Sequence, residues 1–134
     1  MIKNLKNSLV NFVLPIFKMP LEKDIQRECL QWLHLRGILA WRSNQIPVPL
    51  KGGGFRRFTG LKGVSDILGM YTQIVEQDGV KSPMGLILAI EVKQPKGKLS
   101  PEQTEFLQQV NEGGGIGLCV HSLDELIEGM EEYL

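Results

Sequence analysis

The stretch from Leu86 to Lys98 constrains the fold of this chain more than any other part of its sequence. It begins as an apolar run rich in leucine and isoleucine, which is the composition of a buried β-strand. Successive side chains of a strand point to opposite faces, so Glu91 and Lys93 share one face at the end of this strand. The other face is apolar and carries Leu88, Ile90 and Val92. A Gln-Pro-Lys-Gly segment then ends the strand.

Glu91 and Lys93 place a carboxylate and an ammonium group at the mouth of a hydrophobic sheet. Desolvating both groups is costly unless a partner, a metal ion or a substrate compensates for it. Two interpretations remain open on this stretch alone. The pair is either a structural ion pair at a strand end or part of a site that performs chemistry.

The length and charge of the chain narrow the class of protein. Its 134 residues are enough for one domain with its own hydrophobic core. The formal net charge is zero, but residues 1–63 carry 11 Lys/Arg and 3 Asp/Glu, whereas residues 64–134 carry 4 and 12. Such asymmetry indicates a basic surface for nucleic acid and an acidic cluster for metal, unless the two halves interleave in the fold.

The cysteine and histidine content argues against a zinc site or a disulfide scaffold. Cys29 and Cys119 form no CxxC motif and no Cys/His cluster, which fits a reducing, cytoplasmic location. His34 and His121 stand apart in the sequence, and we expect each to be a surface or packing residue. No apolar run approaches the roughly 20 residues that a membrane-spanning helix needs, so no membrane contact is expected.

Residues 1–20 are set apart from the rest of the chain. Lysines followed by a short apolar segment imitate a secretory signal, but the segment contains Asn11 and Pro15 and is followed by no small-residue cleavage site. We therefore predict an N-terminal arm over 1–20, which packs on the domain or on a partner subunit, and a domain over 21–134.

Hydrophobic periodicity and turn signals predict the order helix, strand, strand, strand, helix, strand, helix. The first helix is expected over Leu21–Arg36, with a buried face made of Leu21, Ile25, Cys29, Trp32 and Leu33. Capping boxes begin the second helix at Ser100 and the third at Ser122. Besides the strand that carries Glu91, which follows a turn at Glu76–Gly79, strands are expected over Ile38–Ile46, Gly63–Gly69 and Ile116–Val120. This order predicts a single α/β sheet flanked by helices.

Asp66 lies in an otherwise apolar segment between two glycines, and it is either a turn aspartate or a second acid of a site. If its strand neighbours the one that carries Glu91 and Lys93, two carboxylates and an ammonium group converge. Glu22 from the first helix would add a third carboxylate, or it complements the dipole of its own helix, as first-turn acids commonly do. Mg²⁺ and Mn²⁺ prefer such oxygen ligands.

The segment 47–62 is predicted to be a long cationic loop. It contains three consecutive glycines, two phenylalanines and the basic residues Lys51, Arg56, Arg57 and Lys62. Basic side chains interleaved with aromatic ones suit contact with phosphates and stacking on bases. The alternative is a solvated hairpin whose phenylalanines pack into the core. Arg42, Lys96 and Lys98 complete the set of cations that we predict to contact DNA.

Asp66 followed by Glu91-Val92-Lys93 resembles the PD-(D/E)xK nuclease signature, and the finer pattern resembles the VRR-NUC family of virus-type replication-repair nucleases. The matching segments come in the order of the family and cover roughly residues 21–132. They are Glu22–Gln26, Trp41–Asn44, Gly63–Gly69, Ala89–Lys93, Lys98–Gln103 and Gly113–Gly115. Ser65 stands where the generic signature has proline, and residues 1–20 have no counterpart in the motif.

The resemblance implies a restriction-endonuclease-like core, with a central mixed β-sheet flanked by helices, and DNA cleavage that depends on Mg²⁺ or Mn²⁺. It implies that Asp66 and Glu91 are metal ligands, with the backbone carbonyl of Val92 as a third ligand and Glu22 as a helix-borne acid. Lys93 would be the catalytic lysine. Gln103 would be a polar residue of the active site, although its capping position explains it without any chemistry.

Small single-domain members of the family resemble viral or bacterial homodimers that act on branched DNA, above all four-way (Holliday) junctions, in DNA repair. A two-fold dimer would place two active sites on opposing strands. The competing hypotheses are a non-catalytic DNA-binding or assembly module on the same fold, and a flap, nicking or sequence-specific nuclease. Sequence-specific cleavage usually needs additional base-reading elements, for which this chain has little room.

Overall fold

The computed structural model describes residues 19–43, 49–54 and 60–134. In that part of the chain, three α-helices and four β-strands follow one another in the predicted order. The helices are α1 (Glu22–Leu35), α2 (Pro101–Glu112) and α3 (Leu123–Met130), and the strands are β1 (Leu39–Arg42), β2 (Ile67–Gln77), β3 (Val80–Val92) and β4 (Ile116–Val120). A short 3₁₀ helix over Glu131–Tyr133 follows α3.

The four strands form one mixed sheet in the order β1-β2-β3-β4. β1 and β2 are antiparallel, as are β2 and β3, whereas β4 runs parallel to β3. Asp78 and Gly79 join β2 to β3 with φ angles of 52° and 77°. Positive φ at both central residues is typical of the tight turn whose twist matches an antiparallel hairpin. The α/β fold with a central mixed sheet is therefore confirmed.

Alternation along β3 divides the core between the two faces of the sheet. Leu88, Ile90 and Val92 are fully buried on the face that α1 and α3 cover, with Cys29 of α1 and Leu126 of α3 among their neighbours in the main core. On the other face, Ala89 is buried with Leu107 and Val110 of α2. The predicted faces of β3 are confirmed, and the face that carries Glu91 is the one that α2 packs against.

Helix ends follow the chemistry of their capping residues. Gly37, at φ 72°, follows the C-cap of α1. At α2, the side chains of Ser100 and Gln103 form both bonds of the predicted capping box. At α3, Ser122 accepts a bond from the Glu125 N–H. The side chain of Glu125 instead accepts a bond from the N–H of His121, so the reciprocal box predicted there is only half formed.

Two predicted strands have other boundaries in the structure, and one residue predicted to be buried is exposed. The second strand begins at Ile67 and runs on to Gln77, because pairing with β3 extends it far beyond Gly69. The first strand covers only Leu39–Arg42 of its described part, and residues 44–46 lie outside the described residues. Leu21 is 42% exposed and does not belong to the buried face of α1, since it precedes the first helical turn.

Both cysteines are free. Within the described residues, no helix combines the length and the apolar character needed to cross a membrane.

Candidate active site

Antiparallel pairing brings Asp66 to Glu91. Asp66 immediately precedes β2, and because β2 and β3 are antiparallel, the beginning of β2 meets the end of β3. The Oδ2 atom of Asp66 accepts a 2.9 Å hydrogen bond from the N–H of Val92. Its backbone carbonyl accepts another, of 2.7 Å, from the N–H of Ser43. The strand predicted over Gly63–Gly69 would include Asp66, and that was wrong because β2 begins at Ile67, but the expected proximity of Asp66 to Glu91 is present.

Glu91 is a carboxylate inside the core, with 3% of its surface exposed. Its Oε1 atom accepts a 2.8 Å hydrogen bond from the Nε2 of Gln103. Its Oε2 atom is buried and has no hydrogen-bond partner among the described residues. A buried carboxylate oxygen without a partner is unusual, because each such atom loses its hydration and receives nothing in exchange.

Burial, followed by the negative charge of the adjacent Asp66 and the direct approach of the two carboxyl groups, raises the pKa of Glu91 from 4.5 to about 8, and Lys93 opposes the shift only in part. The Nζ of Lys93 lies 3.9 Å from Glu91 Oε1, which is within ion-pair range but too long for a hydrogen bond. Two acids therefore share one distant ammonium group. The donor set fits a divalent cation, because a cation would supply the missing positive charge and a partner for Oε2.

The pair of Glu91 and Lys93 is a long ion pair with unequal exposure of its two partners. The side chain of Lys93 is 17% exposed, so its ammonium group remains within reach of solvent. Its backbone N–H donates a 2.9 Å bond to the carbonyl of Val120, which anchors this end of β3 to β4. A lysine held by its backbone beside two acids has the placement needed to contact a bound anion.

Gln103 serves the helix cap and the candidate site at the same time. Its Oε1 accepts a 2.9 Å bond from the N–H of Ser100, and its Nε2 donates to Glu91. The capping interpretation and the active-site interpretation of this residue are therefore compatible. Gln103 donates to Oε1 of Glu91, so Oε2 is the carboxylate oxygen that keeps its acceptor capacity unused among the described residues.

The structure does not join Glu22 to this pair. Glu22 is half-buried in the first turn of α1. Across ranges 19–43, 49–54 and 60–134, no group of three or more His, Cys, Asp or Glu side chains is arranged to hold a metal ion. A third carboxylate from Glu22 and a ligand carbonyl at Val92 therefore stay predictions.

The predicted DNA-contacting cations lie in several places. Lys96 and Lys98 are exposed in the turn that follows β3, close in sequence to Lys93. Arg42, Lys51 and Lys62 are exposed at the end of β1 and in the described parts of the following loop. The two arginines predicted within that loop, Arg56 and Arg57, lie outside the described residues.

Sequence reasoning missed two residues beside the site. His121 follows β4, and continuation of the parallel register that pairs Val92 with Val120 places it next to Lys93. Only the pairing of β3 with β4 reveals this position. Ser65, which precedes Asp66, is fully buried, and its Oγ has no hydrogen-bond partner within the described part of the chain.

A comparison with protein-family models matches the VRR-NUC domain to residues 21–122, which is most of the chain. The chain belongs to the VRR-NUC family. This family is a nuclease family with a restriction-endonuclease-like α/β fold, which agrees with the mixed sheet described above. The VRR-NUC match also spans Asp66, Glu91, Lys93 and Gln103. No curated protein and no solved structure matches the chain.

Proposed function

We propose that this VRR-NUC domain is a metal-dependent endodeoxyribonuclease that hydrolyses phosphodiester bonds in branched DNA, with four-way junctions as its preferred substrate. The observation that carries the proposal is the buried Oε2 of Glu91, which has no partner within the described residues although it lies beside a second acid and a lysine. A module that only binds DNA gains nothing from two acids near a phosphate, because they repel it.

Asp66 and Glu91 would hold the Mg²⁺ or Mn²⁺ ion, with the Val92 carbonyl and Glu22 as the proposed further ligands. When bound, such an ion polarises the phosphodiester and lowers the pKa of a coordinated water. Asp66 is held in place by the Val92 N–H, which keeps its carboxylate at the end of β3. Glu91 lies in the paired part of β3, and the backbone carbonyl of Asp66 is bonded to the Ser43 N–H, so the backbone of both acids is held in place before a ligand binds.

Lys93 and Gln103 have distinct proposed roles. Lys93 orients or activates the attacking water and neutralises the charge that develops on the phosphate. Gln103 holds Oε1 of Glu91 at 2.8 Å and so directs the free Oε2 towards the ligand. Lysine suits this site better than arginine, because a guanidinium group does not give up a proton at neutral pH.

Contact with the DNA backbone is assigned to basic residues of the turn after β3 and of the first half of the chain. Lys96 and Lys98 are exposed in the turn that follows β3, three and five residues after Lys93, so of the proposed DNA-contacting cations they are the closest in sequence to the candidate site. The remaining proposed contacts come from the first half of the chain: Arg42, Lys51, Arg56, Arg57 and Lys62. Each phosphate contact adds affinity that decreases as the salt concentration rises.

We also propose that the domain acts as a homodimer. Large apolar side chains are exposed on the sheet face that carries Glu91, and the register of β1, β2 and β3 places them side by side: Leu39, Trp41, Met70, Ile74 and Ile87. An exposed apolar face of this kind is typical of an interface. A two-fold axis through it would present two active sites to the two strands of a junction.

The function is tested by cleavage of labelled four-way junction, flap and linear duplex with Mg²⁺, Mn²⁺ or EDTA. We compare wild type, Glu91→Gln and a control, Glu128→Gln, whose glutamate is exposed on α3. We expect metal-dependent cleavage with the junction as best substrate, a loss of at least 100-fold in Glu91→Gln and no loss in the control. Binding without cleavage in either metal would overturn the enzyme and leave a DNA-binding module.

A second variant separates the two bonds of Gln103. Gln103→Glu keeps an acceptor for the Ser100 N–H, since glutamate is an ordinary partner in a capping box. It removes the donor to Glu91 and adds a third acid there. We expect unchanged helix content by circular dichroism and cleavage lowered at least tenfold. Equal activity would show that Gln103 serves only as a helix cap.

Metal binding also has a readout that is independent of cleavage. Mn²⁺ should raise the melting temperature of wild type and of Glu128→Gln, because a ligand that binds only the folded state stabilises it. Glu91→Gln should show little or no shift. A shift of the same size in all three proteins would place the cation elsewhere.

A further inference from the structure

His121 holds two segments of the chain together beside the candidate site. Its Nδ1 lies 3.0 Å from Oε2 of Glu125, and that oxygen also accepts a 2.7 Å bond from the His121 backbone N–H. Its Nε2 lies 3.0 Å from the carbonyl oxygen of Gly97. The imidazole therefore links the beginning of α3 to the turn that follows β3.

Both ring nitrogens of His121 face hydrogen-bond acceptors. A neutral imidazole has a single N–H, so it satisfies either the Glu125 carboxylate or the Gly97 carbonyl and directs a lone pair at the other. Only the imidazolium donates to both. In agreement, the hydrogen bonds to Glu125 and Gly97 raise the pKa of His121, and those from His121 lower the pKa of Glu125.

The turn that His121 contacts is tight and carries cations. The N–H of Gly97 donates a 2.7 Å bond to the carbonyl of Gln94, and Lys96 between them has a φ of 71°. A left-handed conformation is unfavourable for lysine, so contacts outside the residue must maintain it. The bond between His121 and Gly97 is such a contact. Gly97 stands between Lys96 and Lys98 in the sequence, so this bond fixes the backbone that carries both lysines.

The charged groups around His121 make its protonation depend on Glu125. The turn contributes Lys96 and Lys98, and Lys93, which directly follows β3, lies next to His121 by continuation of the β3–β4 register. These cations disfavour an imidazolium. On β4, Cys119 lies on the same face, and burial raises the pKa of its thiol, which keeps it neutral. Of these charged groups, the carboxylate of Glu125 favours the imidazolium, and the Gly97 carbonyl adds to its effect as a neutral acceptor.

We propose that protonated His121, held by Glu125, is a positioning residue that fixes the Gln94–Gly97 turn so that Lys96 and Lys98 engage the DNA backbone together. The inference rests on the proposed function, because it assigns these lysines to phosphate contact. As pH rises and His121 loses its proton, one of its two bonds is lost and the turn is released. The affinity for DNA then decreases because Lys96 and Lys98 are no longer held in place, although His121 itself does not contact DNA.

The test measures junction binding in EDTA, where metal-dependent cleavage does not occur, by fluorescence anisotropy from pH 5.5 to 8.5. We compare wild type, His121→Ala, Glu125→Gln and a matched control, His34→Ala. His34 also places a ring nitrogen 2.8 Å from a backbone carbonyl, that of Ala40. Proton-detected NMR follows the His121 ring and the amides of Gly97 and Lys98 in the same pH range, without DNA.

We expect wild type and His34→Ala to lose three- to tenfold more affinity across this range than His121→Ala, which should bind weakly throughout. In Glu125→Gln the midpoint should move to lower pH, because the carboxylate charge no longer favours the imidazolium. The Gly97 amide shift should titrate with the His121 ring. Circular dichroism checks that each variant is folded.

The outcomes that overturn the proposal are distinct from failure of the nuclease function. If His121→Ala retains the pH dependence of wild type, or if the Gly97 amide ignores His121 titration, the positioning role is wrong. If none of the four proteins binds junction DNA at any pH, but the Gly97 amide shift titrates with the His121 ring, His121 does hold the turn and the assignment of Lys96 and Lys98 to DNA contact is wrong. Loss of cleavage alone, with this pH dependence of binding intact, would contradict only the enzyme.

Discussion

At the scale of single residues, Glu91 retains a carboxylate in a place where hydration is nearly absent. Its oxygens differ: Oε1 has Gln103 as a donor, and Oε2 is buried with no hydrogen-bond partner in the described part of the structure. Asp66 adds a second negative charge that disfavours ionisation of Glu91. Residues kept in such costly environments are typical of functional sites, where a ligand supplies the compensation.

The raised pKa of Glu91 predicts how stability depends on pH without metal. The carboxyl group of Glu91 has a pKa of about 8 in the folded chain and about 4.5 in the unfolded chain, so between these pH values only the folded chain keeps it protonated. The stability contribution is therefore complete below about pH 4.5 and is lost as pH rises through about 8. Urea denaturation in EDTA should show wild type losing on the order of 1–4 kcal/mol relative to Glu91→Gln between pH 5 and 8.

Glu128→Gln is the control for this experiment, since its carboxylate is exposed and its removal leaves the burial of Glu91 unchanged. Parallel stability curves for wild type and Glu91→Gln would contradict the burial of an ionisable Glu91.

At the scale of elements, α2 connects the candidate site to the sheet at both of its ends. Gln103 in its first turn reaches Glu91. Near its last turn, the side-chain amide of Asn111 donates to the carbonyl of Gly117 and accepts from its N–H, which ties the helix to β4. The backbone of Glu102 also packs closely on Gly63, at the approach to Asp66. A shift of α2 would therefore disturb both acids, Glu91 through Gln103 and Asp66 through the contact with Gly63.

Gly63→Ala is predicted to disturb this packing. A Cβ at position 63 would overlap the backbone carbonyl of Glu102, and the φ of 77° is itself unfavourable for alanine. Gly114→Ala is the matched control, because its φ is 88° but a Cβ there meets nothing within 4 Å. We expect a loss of about 2–4 kcal/mol at position 63 and about 1 kcal/mol at 114 by urea denaturation. Equal losses would contradict the close contact with α2.

At the scale of the whole molecule, the β2–β3 hairpin is longer than the sheet that supports it. β1 pairs only with Ile67–Met70 and β4 only with Leu88–Val92, whereas β2 and β3 pair along their full length. A two-stranded ribbon therefore projects beyond the sheet. Such ribbons are marginal in water by themselves, and this one exposes 67% of Ile74. The proposed dimer would cover it.

Ile74→Lys should therefore weaken self-association. Ile74 lies on the sheet face that carries Glu91, whereas Ser82 lies on the opposite face of the same ribbon and is also exposed. Ser82→Lys is thus a control with the same added charge. Sedimentation equilibrium should show a dimer for wild type and Ser82→Lys, and at least a tenfold weaker dimer for Ile74→Lys. A wild type that is monomeric at all concentrations would contradict the dimer.

The order of the elements, the two faces of β3 and the capping box at Ser100 follow from the amino-acid sequence alone. They arise from interactions between residues two to four positions apart, which hydrophobic alternation and capping motifs record directly. Glu91 and Lys93 were recognisable for the same reason, because alternation along one strand places them on one face. The boundaries of β2 were not recognisable from the sequence, because pairing with β3 extends the strand through residues that have no strong hydrophobic pattern of their own.

The contacts that make these residues a candidate site depend on tertiary structure. The bond from Val92 to Asp66 joins residues 26 positions apart, and that from His121 to Gly97 joins residues 24 apart. Antiparallel pairing of β2 with β3 creates the first, and parallel pairing of β3 with β4 creates the second. Local patterns cannot specify such pairings, because their stability comes from burial shared among distant segments. Only the assembled sheet therefore places two acids, a lysine and a histidine together.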